Sequence, residues 1–232
     1  MLWALIALAW ILLTTYGSYS IRANWFVDSK NNTGRNEVAL TFDDGPDPLT
    51  TPLILDLLRE HGIQASFFLI GRKAEQYPGL VRQIAAEGHT IGNHSWSHSA
   101  MIGFFSKARL EDDVFACSRK LEEITGERVT LFRPPFGVTN PRYRRVLEAL
   151  GLKPVGWTLR SYDTVIRNGP RLAAELERKL RPGQIILLHD TVPETAEALP
   201  LLIRSCRERG IGFVRLTGEA TGDSPAESGS IG

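Results

Sequence analysis

The chain has little cysteine and almost no net charge, and each shortage excludes a class of function. Its 232 residues include two cysteines, Cys117 and Cys206, which lie far apart and lack the paired spacing of a thiolate metal site. Both fall on apolar helix faces, which favours small buried side chains, while a disulfide stays open for a domain outside the cytoplasm. With 27 basic and 26 acidic residues, the net charge of +1 offers no electrostatic case for binding nucleic acid.

The chain opens with a long run that lacks charge. Residues 1–21 contain no Asp, Glu, Lys, Arg or His. A helix needs about 20 residues to span a bilayer, so this segment is long enough. We predict that residues 1–22 form a membrane anchor or a signal segment, with a buried helix of the domain as the alternative. An uncleaved anchor is favoured, because a basic n-region is missing and Ser18-Tyr19-Ser20 is a poor cleavage site. Three basic residues follow the segment: Arg22, Lys30 and Arg35. By the positive-inside rule, they would place the chain after the segment in the cytoplasm.

Beyond residue 22 the sequence predicts one domain with short flanking segments. Residues 23–36 are polar and rich in asparagine, which is typical of a linker, and the composition of residues 217–232 predicts a disordered tail. Between them, residues 37–216 alternate apolar runs with six amphipathic helices. Strands separated by helices pair in parallel, so the fold class is α/β, either a doubly wound sheet or a barrel. Seven runs are predicted as strands: 38–42, 65–70, 89–92, 129–132, 153–159, 184–188 and 211–216.

Side chains that can carry chemistry follow five of these predicted strands. In parallel α/β folds the carboxyl ends of the strands carry the active site, so this coincidence argues against unrelated surface groups. The residues are Asp43 and Asp44 after the first strand, His94 and His98 after the third, Arg133 after the fourth, Asp163 after the fifth, and His189 with Asp190 after the sixth.

The two histidines and the acidic pair together predict a metal site. His94 and His98 are four residues apart, which a helical turn would place on one face. A carboxylate from Asp43 or Asp44 completes a His₂-carboxylate set with an open position, as in catalytic zinc sites, and iron takes the same ligands. A divalent metal at an open position lowers the pKa of bound water towards ~7. The remaining carboxylate could accept that water's proton, and His189 could give one to a leaving group.

Five segments resemble, in order, the motifs of polysaccharide deacetylases, which are carbohydrate esterase family four or the NodB-homology domain. Five motifs in the right order are far more specific than any one of them, and the resemblance covers about residues 36–216. It implies a distorted (β/α) barrel with fewer than eight strands. It also implies metal-dependent removal of an acetyl group from a sugar, above all the N-acetyl of GlcNAc-type sugars. The segments are Thr41-Phe-Asp-Asp-Gly-Pro46, His94-Ser-Trp-Ser-His98, Arg133-Pro-Pro-Phe-Gly137, Trp157 through Asp163, and Leu187-Leu-His-Asp190.

The resemblance assigns the metal ligands and the base. It implies that Asp44, His94 and His98 hold one divalent ion, usually zinc, with cobalt or nickel as alternatives. Asp43 would be the general base, and Arg133 would hold it in its ionised form.

The resemblance also assigns the groups around the acetyl group. The Phe136 N–H would help to stabilise the tetrahedral oxyanion, and Leu187 would line the pocket for the acetyl methyl. His189 would be the general acid, oriented and kept protonated by Asp163. The chain departs from the family in Arg160-Ser-Tyr-Asp163-Thr164, where many members have Asp-x-x-Asp-Trp, so the tryptophan that lines the groove is not matched.

The expected partner is an acetylated glycan, whether peptidoglycan, a chitin-like chain, xylan or an exported polysaccharide. Because related proteins act on envelope or extracellular glycans, we expect a domain outside the cytoplasm despite the charge pattern after residue 22. Two other functions stay open. One is metal-dependent hydrolysis of a small non-sugar amide, since a fold does not determine its substrate. The other is glycan binding without turnover, against which the intact base, ligands and acid argue.

Overall fold

The structure is a computed structural model that describes Trp3, Trp10, residues 13–18 and residues 20–218. Residues 13–18 are helical, and in the part of the chain that is described no helix has both the length and the apolar character to cross a bilayer. Half of the predicted membrane segment, 1–22, and most of the predicted tail, 217–232, lie outside the described residues. The proposed domain boundaries therefore stay predictions.

Strands and helices alternate along residues 37–213. The strands are β1 (Glu37–Asp43), β2 (Ser66–Leu69), β3 (Thr90–Asn93), β4 (Leu131–Phe132), β5 (Lys153–Pro154), β6 (Leu159–Arg160), β7 (Ile185–His189) and β8 (Gly212–Phe213). The α-helices are α1 (Thr51–Glu60), α2 (Gly71–Gln76), α3 (Pro78–Ala86), α4 (Lys107–Thr125), α5 (Pro141–Leu150), α6 (Gly169–Lys179) and α7 (Pro193–Glu208).

The strands form one parallel sheet in the order β5-β4-β3-β2-β1-β7-β6, and β8 pairs with the start of β1. The two strands at the ends of this order, β5 and β6, do not pair with each other in the described chain. The sheet is therefore a curved, open α/β barrel, which confirms the predicted distorted (β/α) barrel. Strand β1 lies in the interior of the sheet, because Thr41 pairs with Ser66 of β2 on one side and with Leu187 of β7 on the other.

Alternation along the strands decides which side chains face the barrel interior. Val38, Leu40 and Phe42 pack in the large core that the helices cover, whereas Ala39 belongs to the smaller core inside the barrel. Successive side chains of a strand point to opposite faces. Asp43 therefore shares the interior face with Ala39, and the same argument places His189 of β7 on the face of Ile185, which also packs inside the barrel.

The helices that cover the sheet have capped ends and bury their apolar faces. Helix α4 begins after Ser106, whose side chain accepts the Arg109 N–H at 3.2 Å, and it ends at Gly126 in the left-handed conformation. This pairing of a serine cap with a C-terminal glycine satisfies backbone groups that the helix leaves free. Both cysteines are free and buried, Cys117 on α4 and Cys206 on α7, as the apolar positions predicted.

Two local predictions differ from the structure. The run 153–159 forms two short strands, because the chain pairs with β4 as far as Pro154 and then passes from that edge of the sheet to the other edge, where it pairs with β7 from Leu159. The predicted linker, 23–36, lies against the domain: Lys30 forms a bridge to Val155, and Val27 is buried. The contacts that hold both segments come from distant parts of the chain, so local composition does not show them.

Candidate active site

A cavity of about 170 Å³ lies at the carboxyl ends of the central strands. The structure brings seven of the predicted site residues to its wall: Asp43, Asp44, His94, His98, Phe136, Leu187 and His189. The other two, Arg133 and Asp163, are fully buried behind the wall, and each contacts one of the lining residues. The predicted set therefore forms a single site in three dimensions.

Three ligand groups converge within this cavity. One ligand atom from each of Asp44, His94 and His98 lies within 4.8 Å of the others. The Asp44 Oδ1 atom is 3.4 Å from His94 Nε2 and 3.1 Å from His98 Nε2. That carboxylate oxygen is buried and accepts no hydrogen bond from any described residue. A buried anionic oxygen without a partner is costly, and a divalent cation bound between these three atoms would compensate it.

The hydrogen bond on the far side of His94 favours the same conclusion. His94 Nδ1 lies 2.7 Å from the Arg133 carbonyl oxygen, which can only accept, so the proton is on Nδ1. Nε2 of His94 then faces Asp44 Oδ1. Against the effect of burial, Asp43 and Asp44 raise the pKa of His94, and a divalent cation bound between Nε2 and Asp44 Oδ1 would take the place of the Nε2 proton. Burial and the neighbouring His94 lower the pKa of His98, which favours the neutral form that binds metals. The residues present fit a divalent ion.

An irregular loop brings His94 and His98 together, whereas the sequence predicted a helical turn. Residues 94–98 form an irregular loop in which Ser95 and His98 have positive φ values of 67° and 46°. The Ser95 N–H donates to Asn93 Oδ1 at 2.7 Å, and the Ser95 hydroxyl accepts the His98 N–H at 2.9 Å. Asp113 of α4 accepts the Trp96 N–H at 2.9 Å. Polar side chains thus hold a conformation that the backbone adopts rarely.

Asp43 has a different partner from Asp44. Arg133 Nη1 donates to Asp43 Oδ1 at 2.7 Å and to the Thr41 hydroxyl at 2.8 Å. The same guanidinium donates to the carbonyl oxygens of Val155 and Gly156, so four of its five N–H groups are engaged. Because Oδ1 of Asp43 is occupied in this way, Oδ2 is the oxygen left to face the cavity, 3.8 Å from His94 Nε2. An ionised carboxylate with one free oxygen suits a base.

His189 and Asp163 form a tight pair on the opposite side of the cavity. Asp163 Oδ1 lies 2.7 Å from His189 Nδ1, while Oδ2 accepts the His189 N–H at 2.7 Å and the Thr195 hydroxyl at 2.8 Å. Burial alone lowers the pKa of His189, but the hydrogen bond and negative charge of Asp163 outweigh it and raise the pKa to about 9. His189 Nε2 points towards the metal ligands, 3.9 Å from Asp44 Oδ2. The pair can deliver a proton into the cavity.

Phe136 and Leu187 both line the cavity. Phe136 has a φ of 61°, its ring lies 4.7 Å from that of His98, and among the described residues its N–H has no acceptor. A free N–H beside the metal ligands can donate to a developing oxyanion. Leu187 is buried in β7 and lines the cavity wall.

Sequence reasoning missed some residues that support the site. Lys73 Nζ donates to the Asp44 carbonyl oxygen at 2.7 Å, and nothing in its helical sequence context indicates this contact. Asp190 follows a predicted strand, but it does not line the cavity. It accepts the Thr51 hydroxyl at 2.6 Å, burial raises its pKa to about 7, and a Cβ on Gly45 would overlap its carboxylate. Asp190 therefore supports the turn that carries Asp44.

Comparison with known proteins indicates one family. Residues 30–155 match the polysaccharide deacetylase family. A chitooligosaccharide deacetylase of Azorhizobium caulinodans is 37% identical over 166 residues, which cover 71% of this chain and 79% of the relative.

Solved structures give the same result. The crystal structure of the Bc1960 peptidoglycan N-acetylglucosamine deacetylase superposes with a TM-score of 0.77 at 31% identity, and the match covers 81% of this chain and 89% of that one. BA3943 of Bacillus anthracis, described as a family-four pseudoenzyme, gives a TM-score of 0.77 at 26% identity, covering 82% of this chain and 67% of that one. Similar folds in this family therefore include a protein without activity, so the residues of the site have to carry the functional argument.

Proposed function

The chain belongs to the polysaccharide deacetylase family and is a carbohydrate deacetylase, and we propose that it hydrolyses N-acetyl groups of GlcNAc-type sugars with one divalent ion, zinc by ligand type. One observation carries this proposal: Asp44 Oδ1 lies without a partner between His94 and His98, with a candidate base and a candidate acid beside it. Asp43 Oδ2 is 3.8 Å from His94 Nε2, and His189 Nε2 is 3.9 Å from Asp44 Oδ2.

We assign the ion to Asp44, His94 and His98. A divalent ion bound there would polarise the acetyl carbonyl and lower the pKa of water. The ligand set supports this assignment because it combines two neutral imidazoles with one carboxylate, as in catalytic zinc sites.

The protein's own side chains would move the protons. Asp43 Oδ2 accepts the proton of the attacking water, while the Arg133 contact to Oδ1 keeps the carboxylate oriented. His189 Nε2 then gives a proton to the leaving nitrogen, and Asp163 stabilises the imidazolium through Nδ1. The Phe136 N–H donates to the oxyanion, and Leu187 contacts the acetyl methyl. Removing one oxyanion donor or proton-transfer group in other enzymes costs about 10²- to 10⁴-fold in rate.

Acetate release tests the proposal. The full-length protein, loaded with zinc, is incubated with N-acetylglucosamine oligomers, with isolated peptidoglycan and with small non-sugar acetamides, and acetate is measured. We expect release from the glycans and a loss of about 10²-fold or more in Asp43→Asn, which should keep its metal. Release from the non-sugar amides alone would establish the alternative amidohydrolase function. Glycan binding with no acetate from any substrate would establish a domain without turnover.

We also propose that the domain is anchored by its N-terminal segment and lies outside the cytoplasm, where acetylated envelope glycans occur. The uncharged stretch 1–21 supports an anchor by its length. Protease added to intact cells should digest the domain. Protection that persists until the membrane is breached would contradict this location.

A further inference from the structure

A second cavity adjoins the candidate active site. Its volume is about 340 Å³, and it shares Trp157 and Arg160 with the wall of the first cavity. We call it the side groove, lined by Arg22, Trp157, Arg160, Tyr162 and Lys179 together with adjacent backbone. A glycan whose acetylated sugar lies at His189 would extend across this shared wall, so the side groove can hold a neighbouring sugar.

The side groove carries more positive charge than the neighbouring carboxylates neutralise. Three of its lining side chains are cationic and none is acidic. Arg22 and Arg160 are exposed, and neither forms an ion pair with any described residue. Lys179 lies 3.6 Å from Glu175, but that carboxylate is already bound by Arg178 at 2.9 Å. The uncompensated charge attracts an anionic group.

Tyr162 gives the groove an ordered aromatic surface. Its φ is 60°, its side chain is 48% exposed, and it directly precedes the buried Asp163. A bulky residue at positive φ costs free energy and persists mainly where surrounding structure or function requires it. The Arg160 guanidinium lies 5.2 Å and the Lys179 ammonium 5.8 Å from the centre of the ring. Two cations are thus arranged around one exposed aromatic face beside the active site.

We propose that the side groove binds a carboxylate on the sugar next to the acetylated one, so that this enzyme prefers acidic glycans over neutral ones. The inference rests on the proposed function and specifies its substrate class. Arginine pairs with carboxylates through two parallel hydrogen bonds, and the exposed Tyr162 ring provides a flat surface for a sugar ring. The carboxylate can come from a lactyl ether, as in N-acetylmuramic acid, or from a uronic acid.

Matched substrates test the preference. The first pair is an oligomer of alternating N-acetylglucosamine and N-acetylmuramic acid with free lactyl carboxylates, and the same oligomer with these converted to methylamides. A tetrasaccharide of alternating glucuronic acid and N-acetylglucosamine represents the uronic source, and the N-acetylglucosamine tetramer is the neutral reference. We expect kcat/KM to be about 10-fold higher for the acidic member of the first pair, since two or three partly exposed charge contacts each contribute a few-fold.

Two variants assign the preference to the groove. In Arg160→Gln with Lys179→Gln, the ratio of kcat/KM for the acid to that for its methylamide should fall from about 10 towards 1. Arg204→Gln, which changes an exposed arginine of α7 that lines neither cavity, should keep the ratio. In the unchanged protein the ratio should also fall between about 0.01 M and 1 M salt, where the screening length shortens from ~30 Å to ~3 Å.

The outcomes separate this inference from the proposed function. Equal kcat/KM for the acid and its methylamide would overturn the inference and leave the deacetylase intact, and so would a preference that survives in the double variant. If neither substrate releases acetate, the proposed function fails. The dissociation constants of the two oligomers, measured by calorimetry, then still test the charge preference: equal constants overturn it, and tighter binding of the acid that the double variant abolishes supports it.

Discussion

Replacing Asp163 by asparagine should move the alkaline limb of the kcat/KM pH profile to lower pH. His189 has to be protonated to donate to the leaving nitrogen, so activity falls as pH rises through its pKa. That pKa is raised to about 9 by the hydrogen bond and charge of Asp163, against the effect of burial. Asparagine keeps the shape of the side chain and removes its negative charge. Burial, which lowers the pKa of His189, is then no longer outweighed by that charge, so the pKa falls.

The expected shift can be bounded from the geometry. An opposite charge within ~4–6 Å changes a pKa by about 1–3 units, and this contact is direct, at 2.7 Å. Asp43 and Asp44 also raise the pKa of His189 and remain in the variant. We therefore expect the limb to move by about 1–2 units, or roughly 1.4–3 kcal/mol between the two protonation states. A bound divalent ion lowers the pKa of His189, and so the pH of the alkaline limb, in both proteins. The quantity to compare is therefore the difference in this pH between the variant and the unchanged protein.

The same pair predicts how the stability of the metal-free protein depends on pH. The folded-state pKa of about 9 lies above the ordinary value of 6.5. The stabilising contribution of His189 is therefore fully present below about pH 6.5 and is lost as pH rises through about 9. Urea unfolding at several pH values should show a smaller loss across this window in Asp163→Asn than in the unchanged protein.

The control for Asp163→Asn is Thr195→Val. It removes the hydroxyl that donates to Asp163 Oδ2 at 2.8 Å and keeps the carboxylate charge, so the alkaline limb should move far less. The assay measures acetate release at low substrate concentration from pH 6 to 11 with the metal content verified at each pH. An alkaline limb that stays in place in Asp163→Asn, with only a higher KM, would refute the argument and make Asp163 a residue of the substrate groove.

Three further predictions concern the metal ligands, the packing of Asp190 and a buried hydroxyl of the core. Asp44→Asn should lose bound metal in elemental analysis while Asp43→Asn stays near one ion per chain, and the reverse pattern would exchange their roles. Gly45→Ala should weaken metal binding and lower Tm, because the added methyl overlaps Asp190; an unchanged Tm and metal content would contradict the packing argument. Tyr143→Phe should change the unfolding free energy by less than about 1 kcal/mol in urea, since the buried hydroxyl has no partner among the described residues, and a larger loss would reveal one.

Local patterns in the sequence were sufficient to predict the scaffold and to select polar candidates for the site, whereas Phe136 and Leu187 were predicted from the family resemblance alone. Alternating apolar runs and helices indicate parallel strands, and parallel strands bring their carboxyl ends to one edge. Asp43 and His189 could be placed there because each ends a recognisable strand. The helix limits of α4 were equally predictable, since Ser106 and Gly126 act within one turn of the chain.

Other features depend on contacts between distant residues, which no local pattern encodes. The His94–His98 loop takes its shape from Asp113 of α4, and the split between β5 and β6 follows from a change of pairing partner. Packing of 23–36 against the domain depends on Val155, far along the chain.

The chemistry of the site shows the same division. The sequence by itself determined which side chains could bind a metal or move a proton, because residue type limits donors, acceptors and charge. Only the tertiary structure decided that the His94 proton lies on Nδ1, that Asp44 Oδ1 has no partner, and that Arg160 and Lys179 meet beside Tyr162. Protonation state, burial and uncompensated charge are properties of surroundings, and folding assembles those surroundings from segments that are remote in the chain.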